Sequence, residues 1–140
     1  MIRLFACAEK VAYVPQAFYH YVKLNTQAFT NTFSERHLED IRYNVDETIE
    51  FLRERFRNTL DDYLSYFKLN VKYPFLISNE ISMYRLWNVW YPEANEAIGR
   101  NPYFSGRSKM LQYAAKYRMY GVLWLYYWMI HRLVYGVIYK

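Results

Sequence analysis

From Ser34 onward, apolar side chains recur at intervals of three and four, at Leu38, Ile41, Val45, Ile49, Leu52 and Phe56. Charged residues fill most of the positions between them. That spacing suits only an α-helix with one buried stripe, here about six turns long. Ser34 fits the N-cap and Glu35 the first turn. Asn58-Thr59 interrupts the pattern, and Thr59 with Asp62 resembles a capping box. Leu60, Tyr63, Leu64, Phe67 and Val71 then form a second stripe.

The rest of the chain is also helical in pattern. Pro74 marks a boundary, and residues 75–90 read as a third helix. Pro92-Glu93 fits a helix start and Gly99 a stop, giving a short helix over 93–98. Asn101-Pro102 reads as a turn. Ser105 or Gly106 opens a helix over 107–117, and a last helix runs over about 119–138. Before Ser34 the pattern differs. Residues 2–8 suit a short helix, residues 10–22 suit two short strands or one bent extended segment, and residues 23–33 are a polar loop. The expected fold is mostly α, with a short N-terminal β segment followed by a bundle of about five to six helices.

Several function classes are excluded. The first 96 residues contain no glycine, so a Walker loop and a G-x-G-x-x-G loop are absent, and the fold lacks a nucleotide-binding α/β core. No Asp-x-Asp and no H-E-x-x-H spacing occurs. The lone Cys7 permits neither an intrachain disulfide nor a cysteine zinc site. Asp61-Asp62 lies at a helix start, where carboxylates complement the dipole. His37 falls on a charged helix face and His131 in the last helix. His20 ends the β-prone segment just before a polar loop, where ligand-contacting residues often lie.

Charge is unevenly placed. The last acidic residue is Glu96, and residues 97–140 carry seven basic residues and no acidic one. Residues 1–96 hold 11 basic against 13 acidic residues. Such a segment suits a polyanionic surface. The stretch 119–139 is apolar nearly all round, and as a helix it would be about 31 Å long. Its uncharged run, Met119 to Ile130, is only twelve residues, and its Trp and Tyr are scattered along its length rather than gathered at two ends. An interfacial helix on anionic lipid accommodates these features, with Lys116, Arg118, Trp124, Tyr127, Trp128 and Arg132 facing the membrane. A buried core helix is the main alternative; a membrane-spanning helix fits the length alone and is disfavoured by His131 and Arg132 past its middle. Nucleic acid is disfavoured, because the basic residues are spread along helices and do not line one groove.

The phrase Glu-Lys-Val-Ala-Tyr-Val-Pro-Gln-Ala-Phe-Tyr-His-Tyr at 9–21, followed by the Asn/Thr loop, resembles the end of the catalytic domain of family 2 glycosyltransferases, which have the GT-A fold. The tail phrases Ala-Ile-Gly-Arg-Asn-Pro-Tyr (97–103) and Leu-Val-Tyr-Gly-Val-Ile-Tyr-Lys (133–140) are similar to those of bacterial members that build surface polysaccharides. The resemblance implies that residues 1–33 end a catalytic domain and that residues 34–140 are a C-terminal helical domain with a basic, aromatic tail. It implies transfer of a sugar from a nucleotide donor to a hydroxyl acceptor, with a carboxylate base and a divalent ion, Mg or Mn, both supplied by an N-terminal catalytic half that would precede Met1. This chain alone is then expected to be inactive. What carries over is the closing loop: His20 on the donor-diphosphate or metal side, with Lys23, Asn25 and Thr26 beside it. Many members place Arg directly after the Tyr-His-Tyr phrase; Val22 stands there here. The implied location is cytoplasmic, peripheral to the inner face of the cell membrane. The competing expectation is a stand-alone helical interaction module that binds a protein partner or a second copy of itself.

Overall fold

The computed structural model describes residues 2–16, 35–130 and 132. The chain divides into two compact units, residues 1–60 and 61–140.

The first unit contains α1 (Ile2–Cys7), α2 (Glu35–Phe56) and a 3₁₀ turn, Arg57–Leu60. Val45, Ile49 and Leu52 of the expected stripe are buried on α2, with Leu38 and Ile41 half-buried. Arg53 and Arg55 in the last turn complement the helix dipole. Arg57 follows with φ 51°, the left-handed conformation that ends many helices. α1 packs on α2 through Arg3, which pairs with Glu47 at 3.3 Å and lies over the Phe51 ring at 5.7 Å.

The expected β segment is not seen: no strand occurs among the described residues, and residues 10–16 are irregular. Val11, Tyr13 and Val14 have strand-forming side chains but are exposed. A strand needs a neighbour to pair its backbone, and none is present for this stretch among the described residues. The remainder of the segment, the polar loop, Ser34 and the 33/34 boundary lie outside the described residues.

The second unit, over its described residues, is a cluster of four helices and two 3₁₀ turns. α3 (Asp61–Lys72) begins with the two aspartates and runs into a 3₁₀ turn, Tyr73–Leu76, that carries Pro74. The helix expected over 75–90 is shorter, because α4 spans only Ile81–Val89. The polar residues before it take a turn of their own: the Ser78 hydroxyl accepts the Glu80 N–H at 3.1 Å, and the Tyr84 hydroxyl donates to the Ser78 carbonyl. The expected helix over 93–98 is a 3₁₀ turn, Pro92–Ala97. Asn101 makes the turn before α5 by accepting the Tyr103 N–H at 2.9 Å. Ser105 caps α5 (Gly106–Lys116) by accepting the Ser108 N–H. α6 (Tyr120–Met129) follows; of the stretch expected to continue it, His131 and residues 133–140 lie outside the described residues.

The core of this unit is Leu64, Leu69, Phe75, Leu76, Tyr84, Trp87, Trp90, Ala94, Ile98, Leu111, Ala115 and Leu123. Phe75 and Trp90 meet edge to face, with ring centroids 5.0 Å apart. Asn88 ties three helices together, since its amide Nδ2, with two protons to donate, lies within hydrogen-bond reach of the carbonyls of Tyr84 at 3.2 Å and Ala115 at 2.9 Å and of the Tyr120 hydroxyl at 3.3 Å. A Cβ at Gly99 would lie 2.9 Å from the Tyr113 hydroxyl, so a side chain there requires Tyr113 to move. No helix among the described residues is long and apolar enough to cross a membrane.

Candidate functional site

Two features of the second unit carry chemistry. One is an outward-facing apolar helix in the acid-free tail. The other is a buried lysine that the sequence pattern does not reveal.

The outward feature is α6. Leu123 faces inward and is fully buried. Tyr120, Tyr126 and Tyr127 flank it and are half-buried. At 100° per residue the opposite side, roughly half the circumference, holds Gly121, Val122, Trp124, Leu125, Trp128 and Met129, and all six are exposed. Surface helices normally turn their polar side outward. Here the outward side is apolar. Arg132 lies beyond, exposed, with its guanidinium 5.1 Å from the centre of the Trp128 ring.

α5 leads into this helix through a tight corner. The Met119 N–H donates to the Ala114 carbonyl at 2.8 Å and the Arg118 N–H to the Ala115 carbonyl at 2.9 Å. These two bonds form a Schellman closure. Its left-handed residue is ordinarily glycine, and here it is Arg118, with φ 57°. Lys116 is held by Glu96 at 2.8 Å, a hydrogen bond that keeps the ammonium above its ordinary value against the opposing effect of desolvation, with the Glu96 charge, Tyr117 and Tyr113 adding to the rise. Arg107 donates to the Tyr126 hydroxyl at 3.5 Å. Of the six residues expected to face a membrane, Arg118, Trp124, Trp128 and Arg132 are exposed, Lys116 is tied to Glu96, and Tyr127 is half-buried. His20, Lys23, Asn25 and Thr26 lie outside the described residues.

The buried feature is Lys72, at the end of α3. Its side chain is fully buried, and its ammonium sits at the C-terminal end of α4. Nζ donates toward the carbonyls of Trp90 at 2.8 Å, Trp87 at 3.3 Å and Tyr91 at 3.3 Å, and toward Asn95 Oδ1 at 2.6 Å. It also stands 4.0 Å from the centre of the Trp87 ring. One cation therefore replaces the donors that a helix end lacks. Tyr91 turns the chain with φ 47°, which brings Asn95 back to the same ammonium. One turn earlier on α3, Lys68 meets Glu93 at 2.5 Å and lies 5.2 Å from the Tyr91 ring. Burial pushes the Glu93 carboxyl up, but its hydrogen bonds and the charges of Lys68 and Lys72 hold it below its usual value.

Burial lowers the Lys72 ammonium to about 7, with Glu93 opposing the shift and Lys68 adding to it. The unfolded chain keeps this proton to the ordinary value of 10.5. Between those values the unfolded state binds more protons than the folded one, so stability from this group rises with pH across the window and is flat below it. Urea midpoints of the wild type relative to Lys72→Met are expected to rise from pH 7 to pH 10. A constant difference would show that Lys72 keeps its ordinary value in the fold, and a falling one that the fold raises it; either outcome contradicts the burial effect.

The sequence signal for this cluster is spacing alone. Lys68 and Lys72 continue Leu64 at four-residue intervals, and with Leu69 they form the buried face of α3. Among the described residues no group of three or more His, Cys, Asp or Glu comes together to hold a metal ion. No protein-family model, curated protein or solved structure matches the chain.

Proposed function

We propose that this chain is the C-terminal helical part of a nucleotide-sugar-dependent family 2 glycosyltransferase, peripheral to the inner face of a membrane. The observation that carries the membrane part is α6, whose exposed side is apolar and aromatic within a segment free of acidic residues. Apolar side chains presented outward beside unopposed cations suit lipid headgroups better than water. The transferase part rests on the phrases at 9–21 and 97–103. In that role the chain works with a separate nucleotide-binding half, which supplies the carboxylate base and the divalent ion. His20, Lys23, Asn25 and Thr26 belong to the loop that closes the donor side.

Flotation with phosphatidylcholine vesicles, with and without phosphatidylglycerol, tests the membrane part. The chain is expected to float with the anionic vesicles, and Leu125→Glu, an exposed position on α6, is expected to abolish flotation while leaving the helical circular dichroism unchanged. A folded wild-type chain that binds neither vesicle would favour the competing reading, a stand-alone module whose exposed α6 side meets a protein partner or a second copy.

A further inference from the structure

The geometry of the α5–α6 corner points to one orientation and one ligand chemistry: we infer that α6 lies flat in an anionic headgroup layer, with Arg118 and Arg132 on lipid phosphates at its two ends. The inference rests on the membrane reading and names how that surface is engaged.

Three observations converge. The first is the exposed apolar side of α6, which runs between the two arginines. They are fourteen positions apart in the sequence, about 21 Å for a helix of that length. A helix lying in the interface plane buries such a strip to the acyl boundary while basic residues at its ends reach phosphate. A helix standing on end would bring only one arginine to the headgroups.

The second is charge complementarity. No acidic residue follows Glu96 in the sequence. Lys116 is paired with Glu96 and Lys109 donates to the Gly99 carbonyl at 2.8 Å, so both are engaged within the unit. The Arg118 side chain is exposed, and it makes no hydrogen bond or ion pair among the described residues. Its chain neighbours Tyr117 and Met119, and Val122 in the first turn of α6, are exposed as well, so the corner carries a cation among exposed apolar and aromatic residues.

The third is conformational. Arg118 holds the left-handed backbone position of the Schellman closure, where glycine carries no penalty. A cation in the last turn of a helix is favourable, but Lys116 already occupies that turn of α5. The corner is fixed from three sides, by the Arg118 and Met119 N–H groups and by the Asn88 amide on the Ala115 carbonyl. Its side chain is therefore projected from a rigid base, at a position where stability alone would select glycine.

The test separates charge from fold. Arg118→Gly is expected to raise the thermal midpoint by about 3 °C, yet to weaken binding to phosphatidylglycerol vesicles about fivefold, the contribution of one basic residue near an anionic surface. Arg118→Lys is expected to retain binding, and Arg132→Gln to match the loss seen with Arg118→Gly. Brominated lipids are expected to quench both Trp124 and Trp128 from shallow bromine positions near the headgroups, each read by difference against its Trp→Phe variant. Unchanged vesicle binding by Arg118→Gly, or quenching of either tryptophan from bromines deep in the acyl chains, overturns the inference while the membrane reading stands. Failure of the wild type to bind the vesicles overturns both.

Discussion

Lys72→Ala is expected to destabilise residues 61–130 by about 3–5 kcal/mol, a large part of the stability of a small domain. The substitution removes the one donor that reaches the carbonyls of Trp87, Trp90 and Tyr91 together, and it strips Asn95 Oδ1 of the same partner. The Tyr91 carbonyl keeps a second donor in the Ala94 N–H at 3.0 Å. Carbonyls are fixed parts of the backbone, so a mutation at position 72 cannot remove them along with the charge, and desolvated acceptors are left behind. This distinguishes the site from a side-chain ion pair, both members of which can be replaced by apolar residues at little cost. Lys72→Met tests the point, because it preserves most of the stem's volume and deletes only the hydrogen-bonding amino group. It is expected to cost about 2–3 kcal/mol. Urea unfolding followed by tryptophan fluorescence measures both variants, since Trp87 and Trp90 sit at the cluster. A Lys72→Met protein as stable as wild type would mean that the lysine acts only as a hydrophobic stem.

Neighbouring Lys68 gives the contrast. Its partner Glu93 is more than half exposed, so solvent screens the pair, and Lys68→Met is expected to cost no more than about 1 kcal/mol. The two lysines lie one turn apart on the same helix face. What separates them is the partner: a carboxylate that water can also serve, or helix-end carbonyls that water does not reach.

Residue pattern alone locates α2 and α5 well, because each combines local signals that agree. On α2 the stripe Val45, Ile49 and Leu52 is the buried one, and on α5 the Ser105 cap stands at the position its chemistry suits. α4 is shorter than its apolar content suggests, since the Ser78 hydroxyl and the Tyr84 hydroxyl together hold a turn in front of it. The residues at 10–16 show the opposite failure: β-prone side chains do not make a strand without a paired neighbour. The face of α3 is misread for a chemical reason. A stripe drawn through apolar residues includes Tyr63, which is exposed, and omits Lys68 and Lys72, which are buried. Lysine on a helix normally marks the solvated side, and only the placement of the α4 carbonyls, a tertiary fact, reverses that. α6 poses a further problem. Its sequence is apolar on every side, so no periodicity can say that Leu123 points inward and Leu125 outward.

Trp87→Ala is expected to cost about 3–5 kcal/mol, the upper range for a buried aromatic. Trp87 is the largest fully buried side chain of the unit, and its ring forms one wall around the Lys72 ammonium. Truncation opens a cavity and removes the π face in one step. Trp87→Phe separates these effects. It keeps a ring facing the ammonium and also deletes the buried indole N–H, which has no hydrogen-bond partner among the described residues. Removing an unsatisfied donor offsets part of the lost volume, so Phe is expected to cost under about 1.5 kcal/mol. Coupling follows from the contact: Trp87→Ala combined with Lys72→Ala is expected to cost less than the two single variants added together, by about 1 kcal/mol or more. The same urea titrations, read by far-ultraviolet circular dichroism because the loss of Trp87 changes the fluorescence signal itself, measure all three proteins. Strict additivity would mean that the ring and the ammonium stabilise the unit independently, and that the α4 terminus is held by hydrogen bonds alone.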